Sequence, residues 1–173
     1  RHLDLYRCFP EDPVDFARLQ VLQDLGPLQQ LTLLELNEGL PREGNGGCAP
    51  AAAYSVLTAS SNLRHLDIGH NRLPAGTWQH VFPEGRLMPH LTSLDLSRIF
   101  DNEGLPPLPD VTRLVSCCPA LKALYLWVTQ NTGPPDFVPV RMELLAPLQH
   151  LSSLQTLHLA PAVWRPTPGV MPD

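Results

Sequence analysis

The sequence predicts an α/β fold built by repetition. It is a right-handed solenoid of about six stacked units, each running strand, loop, helix, loop, with the strands side by side in one parallel sheet. Three observations predict it. First, the stretch Leu63-Arg64-His65-Leu66-Asp67-Ile68-Gly69-His70-Asn71-Arg72-Leu73 lets Leu63, Leu66 and Ile68 point inward from a short strand and the turn before it. Asn71 there carries an amide able to satisfy backbone groups where the chain leaves the strand, and Leu73 returns to the core. Second, the stretch recurs. Aligned on its fourth position, copies fall at Leu3, Leu34, Leu66, Leu94, Leu124 and Leu157, at intervals of 31, 32, 28, 30 and 33 residues. Third, helix signals lie between the copies, so each strand runs parallel to the one before it, and the crossover rule makes the coil right-handed. A single unit cannot bury its own apolar face and becomes stable only by stacking on its neighbours.

The pattern L-x-x-L-x-(L/I)-x-x-N-x-L resembles the leucine-rich repeat, and the resemblance covers nearly the whole chain. Cys8 fills the slot of Asn71 in the first unit, an alternative that the repeat pattern allows. Units of about 30 residues are similar to the ribonuclease-inhibitor-like branch of the family. That resemblance implies a curved parallel sheet on the concave side and helices on the convex side. The Gly-x-Ile-Pro signature of the plant extracellular branch is missing. Cys118-Pro119-Ala120-Leu121-Lys122-Ala123-Leu124-Tyr125-Leu126 looks like F-box-associated repeats, although the chain contains no F-box.

In order, the first strand ends near Leu5. Asp12 is the expected N-cap of a helix with Pro13 at its first position, running to about Leu25 and stopping at Gly26-Pro27. The second strand spans Leu31 to Leu36. Gly39 to Pro50 is glycine-rich and polar and reads as a long loop. It is not a phosphate cradle, because no Gly-Lys-Ser/Thr ends it. Ala51 to Ser60 is expected to be an Ala-rich helix. After the third strand, Thr77 to Phe82 leaves room for one or two helical turns before Pro83. The fourth strand ends at Ser97, and a loop with Asp101-Asn102-Glu103-Gly104 and three prolines follows. Asp110 is the expected cap of a helix to about Cys118. The fifth strand leaves through Trp127 into a loop from Gln130 to Val138. Pro139 is expected to start a helix with Met142, Leu145 and Leu148 inward, and Pro147 to kink or end it. The sixth strand is Leu154 to Leu159. The domain reading is therefore a repeat array over 1–160 and a proline-rich tail over 161–173. The array is expected to be a fragment of a longer solenoid, because Arg1 opens inside a unit whose first Leu is missing.

The 173 residues suit one domain with a sizeable core, and 43% hydrophobic with 17% charged residues is a globular composition. A net charge of −5 with no basic cluster argues against nucleic acid as the main partner. No apolar run reaches the length of a membrane span. Cys8, Cys48, Cys117 and Cys118 form neither a C-x-x-C pair nor a disulfide framework. Vicinal Cys117 and Cys118 could switch by oxidation or hold a soft metal. Reduced thiols in an intracellular, cytoplasmic protein are the favoured reading.

In an arc of this kind the non-leucine strand positions face the concave surface, about 4.8 Å from strand to strand. The fifth position gives a column Asp4, Glu35, Asp67, Asp95, Tyr125, His158. Four carboxylates in a row repel unless compensated, and Arg7, Arg64 and Arg98 are placed to help. Two readings stand: an acidic strip for a basic partner segment, or acidic residues that merely keep the surface soluble. Tyr125 and Trp127 on the fifth unit are expected interface anchors, with Trp127 packed into the strand exit as the alternative. Tyr6 is a possible third aromatic of this face.

No Gly-x-Ser-x-Gly, His-Glu-x-x-His or phosphate loop supports catalysis. His65 and His70 flank Asp67, but their spacing makes a metal site only if the strand exit curls back, so solvated histidines are the favoured reading. Neither catalytic residues, cofactor nor metal is expected. The function expected is non-enzymatic binding of a protein partner on the concave sheet through Glu35, Arg64, Asp67, Asp95, Arg98, Tyr125, Trp127 and His158. One alternative is a structural subunit that uses the Gly39 to Pro50 loop and the tail. Another is a regulator of an enzyme such as a GTPase or ubiquitin ligase, for which Arg42, Arg72 and Arg98 are not told apart.

Overall fold

Short strands with a leucine every other residue have one face to bury, and in this chain they bury it together. The computed structural model describes residues 2–4, 30–36, 51–71, 73–97, 99, 108–128 and 145–161. Six strands form one parallel sheet in chain order: β1 (His2–Asp4), β2 (Leu33–Glu35), β3 (His65–Asp67), β4 (Ser93–Leu96), β5 (Ala123–Val128) and β6 (Thr156–Pro161). The six aligned leucines share one register row: Leu3 faces Leu34, then Leu66, Leu94, Leu124 and Leu157. The architecture is thus α/β with an all-parallel sheet.

The row is buried through its middle. Leu34, Leu66, Leu94 and Leu124 are shielded from solvent, as are Leu36, Ile68, Leu96 and Leu126 two residues on. They meet Tyr54, Leu57, Trp78, Val81, Phe82, Val111 and Leu114 in one apolar cluster. Burial of each such side chain contributes roughly 1.5–3 kcal/mol. Trp78 and Phe82 stack nearly parallel, 6.2 Å between ring centres. At the β6 end Leu157 is 40% exposed, although it occupies the same row.

The backbone repeats one joint four times. Before each strand a tight turn is closed by the first-position leucine: the N–H groups of Leu63, Leu91, Leu121 and Leu154 donate to Ser60, Met88, Cys118 and Leu151. The carbonyl of the next residue then accepts two N–H groups from the following strand. Thr32 takes Arg64 and His65, Arg64 takes Thr92 and Ser93, Thr92 takes Lys122 and Ala123, and Lys122 takes Gln155 and Thr156, all at 2.8–3.1 Å.

Helix α1 is the single turn Trp78–Val81 after Thr77, where the sequence leaves room for it. Helix α2 (Leu108–Cys117) buries Val111, Leu114 and Val115 at helical spacing, and Cys118 just past its end continues that face. It begins two residues before the expected cap. Asp110 lies in its first turn, where a carboxylate suits the helix N-terminus, and accepts from Arg113 at 2.8 Å. Pro109 is tolerated there because a first-turn N–H has no partner within the helix. The segment Ala51–Thr58 is a 3₁₀ helix rather than an α-helix. Tyr54, Leu57 and Thr58 are its buried residues, Tyr54 and Leu57 lying one three-residue turn apart. A second 3₁₀ segment, Ala146–His150, carries Pro147 in its first turn. Pro147 sits in that first turn, where its missing N–H costs no bond within the segment, and Leu145, just before the segment, is the last α-helical residue. Leu148 is buried and Leu145 packs against the cluster. β6 runs two residues past its expected end and takes in Pro161. Among the described residues β6 pairs only with β5, and an edge strand tolerates the missing proline N–H.

Side chains tie neighbouring units together. The Thr58 hydroxyl donates to Val81 O and the Ser60 hydroxyl to Leu31 O, both at 2.7 Å and buried. Arg86 Nη2 donates to Thr58 O. Cys117 and Cys118 are free, buried thiols, and Cys117 Sγ donates to Pro83 O at 3.4 Å. Burial pushes both thiols up from the ordinary cysteine range; Cys117 raises Cys118 further, whereas Arg86 and Arg113 partly offset the rise at Cys117. Among the described residues no helix is long and apolar enough to cross a membrane. The expected helix from Asp12 to Leu25, the Gly39 to Pro50 loop, the loops after Ser97 and after Trp127, the Pro139 helix start with Met142, the tail beyond Pro161, and Tyr6, Arg7, Cys8 and Cys48 lie outside the described residues.

Candidate functional site

Strand side chains alternate between faces, so burying Leu34, Leu66, Leu94 and Leu124 turns the residues on either side of them to the opposite, open face. The fifth-position row lies in register as expected: Asp4 beside Glu35, then Asp67, Asp95, Tyr125 and His158. Asp4 and His158 are exposed, and the four between them are half-buried.

The carboxylates of the row do different work. Asp67 Oδ1 accepts the Gly69 N–H at 2.8 Å, and Asp95 Oδ1 accepts the Ser97 N–H at 2.8 Å. Each aspartate holds the chain where it turns off its strand, an Asx-type turn. Glu35 has one more methylene and reaches sideways. His2 Nε2 lies 3.6 Å from its Oε2, and His65 Nε2 lies 3.6 Å from its Oε1. At the other end, the Tyr125 ring meets the His158 ring edge to face, 5.9 Å between centres and 73° between planes.

The strand exit of the third unit explains the motif itself. Asn71 is 1% exposed. Its Nδ2 group donates to Leu36 O, Ile68 O and Gly69 O, each at 2.8 Å. A Cβ on Gly69 would stand 2.9 Å from Ser97 O, so only glycine fits. His70 adopts φ 57°, the left-handed region in which histidine is enriched among non-glycine residues.

Of the residues expected on this face, Glu35, Asp67, Asp95, Tyr125 and His158 come together in one row. Arg64 does not join them. It is exposed, and among the described residues its guanidinium pairs with none of the acids. The reason is phase: His65, two residues before Asp67, shares its face, whereas Arg64 is one residue out of step. Among the described residues, the groups that flank Glu35 are the imidazoles of His2 and His65. Arg98 lies outside the described residues. Trp127 is placed in β5 opposite Ala160 by its backbone; its side chain lies outside the described residues. Sequence reasoning missed His2 and His65 as partners of Glu35. The signal was the third motif position, occupied by histidine in the units on either side of Glu35. No protein-family model matches the chain, and no curated protein matches it.

Proposed function

We propose that the chain is part of a leucine-rich-repeat solenoid of the ribonuclease-inhibitor-like kind, and that it binds a protein partner carrying a basic segment on its open, concave sheet. One observation carries the binding reading. A register row with four carboxylates, Asp4, Glu35, Asp67 and Asp95, runs into the paired rings of Tyr125 and His158 on the sheet face opposite the buried leucine row. Asp67 and Asp95 each use one oxygen on the backbone, which fixes where their carboxylates sit on this face. Acidic groups of this kind steer a basic partner and set its orientation, and an aromatic pair anchors it. The solenoid reading is supported by the recurring turn and the doubly accepting carbonyls, which repeat the same joint from unit to unit.

The test measures binding of Lys/Arg-rich and Glu/Asp-rich peptides of equal length at two salt concentrations. Wild type is expected to prefer the basic peptide, more weakly at high salt. A variant with Asp95→Lys, Tyr125→Ala and Trp127→Ala is expected to lose that preference. Equal binding of both peptides by both proteins refutes the reading. The alternatives, a structural subunit using the Gly39 to Pro50 loop and the tail, or an enzyme regulator using Arg42, Arg72 or Arg98, place their contacts outside the described residues.

A further inference from the structure

The first two strands gather a mixed set of ligands on the open face. His2, Asp4 and Glu35 each offer one ligating atom, and these atoms lie within 4.8 Å of one another. Asp4 and Glu35 face each other directly in the β1–β2 register, and His2 is two residues back along β1 from Asp4. The cluster therefore follows from strand pairing.

The separation between imidazole and carboxylate is informative. His2 Nε2 and Glu35 Oε2 are 3.6 Å apart, beyond the reach of a good hydrogen bond. Two ligands on one tetrahedral zinc, each bonded at about 2.0–2.1 Å, stand about 3.3 Å from each other. The pair is thus spaced nearly as two ligands of a shared ion. The second oxygen of Glu35 faces His65 Nε2, also at 3.6 Å. His65 is half-buried and flanks the carboxylate from β3, the side opposite His2. Its ring there limits how far Glu35 can swing and stands a short closure from the hydrogen bond an outer-shell partner makes.

We propose that His2, Asp4 and Glu35 form a binding site for a divalent transition-metal ion of the zinc type, with His65 as a positioning residue for Glu35. An imidazole beside carboxylates favours zinc, cobalt or nickel, whereas oxygen-only sites suit calcium and magnesium. Three protein ligands leave a fourth position for water or for a side chain of another molecule. The bound ion offsets the charge of two of the four carboxylates in the row. This inference stands whether or not the face binds a basic partner.

The experiment titrates Zn²⁺ into the tag-free full chain against a chromophoric chelator, and repeats the titration with Co²⁺ followed by its visible spectrum. One equivalent is expected to bind, with a tetrahedral cobalt spectrum and no sulfur-to-cobalt charge-transfer band. His2→Ala and Glu35→Gln are each expected to weaken binding by about 100-fold or more, and His65→Ala by about 10-fold. His2 is exposed and Glu35 half-buried, so these variants should keep the wild-type circular dichroism, which is recorded alongside. Binding unchanged in His2→Ala and Glu35→Gln overturns the proposal. So does a thiolate charge-transfer band, which would place the ion on the cysteines, and so does a preference for Ca²⁺ over Zn²⁺.

Discussion

Asn71 makes the sharpest test of how the strand exits are held. Its amide is buried and donates to three carbonyls, Leu36 O from the neighbouring strand exit and Ile68 O and Gly69 O from its own. Two amide hydrogens serve three acceptors, so one is shared. Asn71→Ala removes every donor at once and leaves at least two buried carbonyls without it. At about 1–3 kcal/mol for each unsatisfied buried group, the loss for two is about 2–6 kcal/mol. That is a large fraction of the roughly 5–15 kcal/mol by which domains are stable. Asn71→Asp keeps the size of the side chain but turns an oxygen toward three carbonyl oxygens, and should be at least as damaging. Urea denaturation followed by circular dichroism measures both. With an m-value of about 2 kcal/mol/M, the midpoint should fall by roughly 1–3 M. A fall in stability below about 1 kcal/mol in Asn71→Ala, with m unchanged, would refute the reasoning.

Further predictions rest on other positions. Gly69→Ala drives a Cβ to 2.9 Å from the backbone oxygen of Ser97 and should cost about 1–3 kcal/mol. Gly85→Ala, at φ 76° in open space, should cost only the left-handed strain of about 1–2 kcal/mol; calorimetry ranks the two. Leu94→Ala, at a fully buried position of the leucine row, should lose about 2–5 kcal/mol. Leu157→Ala, in the same row but 40% exposed, should lose less than half as much in urea melts. Burial raises Cys118 in the folded chain, so the unfolded chain releases its proton first. Stability should therefore be fully present below about pH 8.5 and decline as pH rises above it, by up to about 1.4 kcal/mol per pH unit. Cys118→Ala should flatten that decline in a pH series of denaturation midpoints.

The register of the sheet was legible because a single leucine period fixes it. Once Leu3, Leu34, Leu66, Leu94, Leu124 and Leu157 were aligned, the neighbours of every strand residue followed, down to Asp4 beside Glu35. The helical segments were less legible. Pro109 reads as part of the loop before Asp110, yet a proline in a first turn is compatible with a helix, and the helix takes it in. The 3₁₀ form of Ala51–Thr58 depends on which residues meet the core, information that an Ala-rich run does not carry. On the open face, the sequence offers arginines as counter-charges because they are unambiguous cations. Face periodicity also brings the third position onto this side, and there His2 and His65 stand beside Glu35.

The doubly accepting carbonyls of Thr32, Arg64, Thr92 and Lys122 have a consequence for design. The joint between units is made there chiefly by main-chain atoms, with the Thr92 hydroxyl adding one 3.1 Å bond to Arg64 O, so it does not depend on a single side-chain type. Threonine, arginine and lysine occupy these sites with the joint kept. This line across the molecule is therefore a row of interchangeable pegs. Its charge can be rewritten from positive to negative, one unit at a time, to tune what the neighbouring surface attracts while the scaffold underneath stays the same.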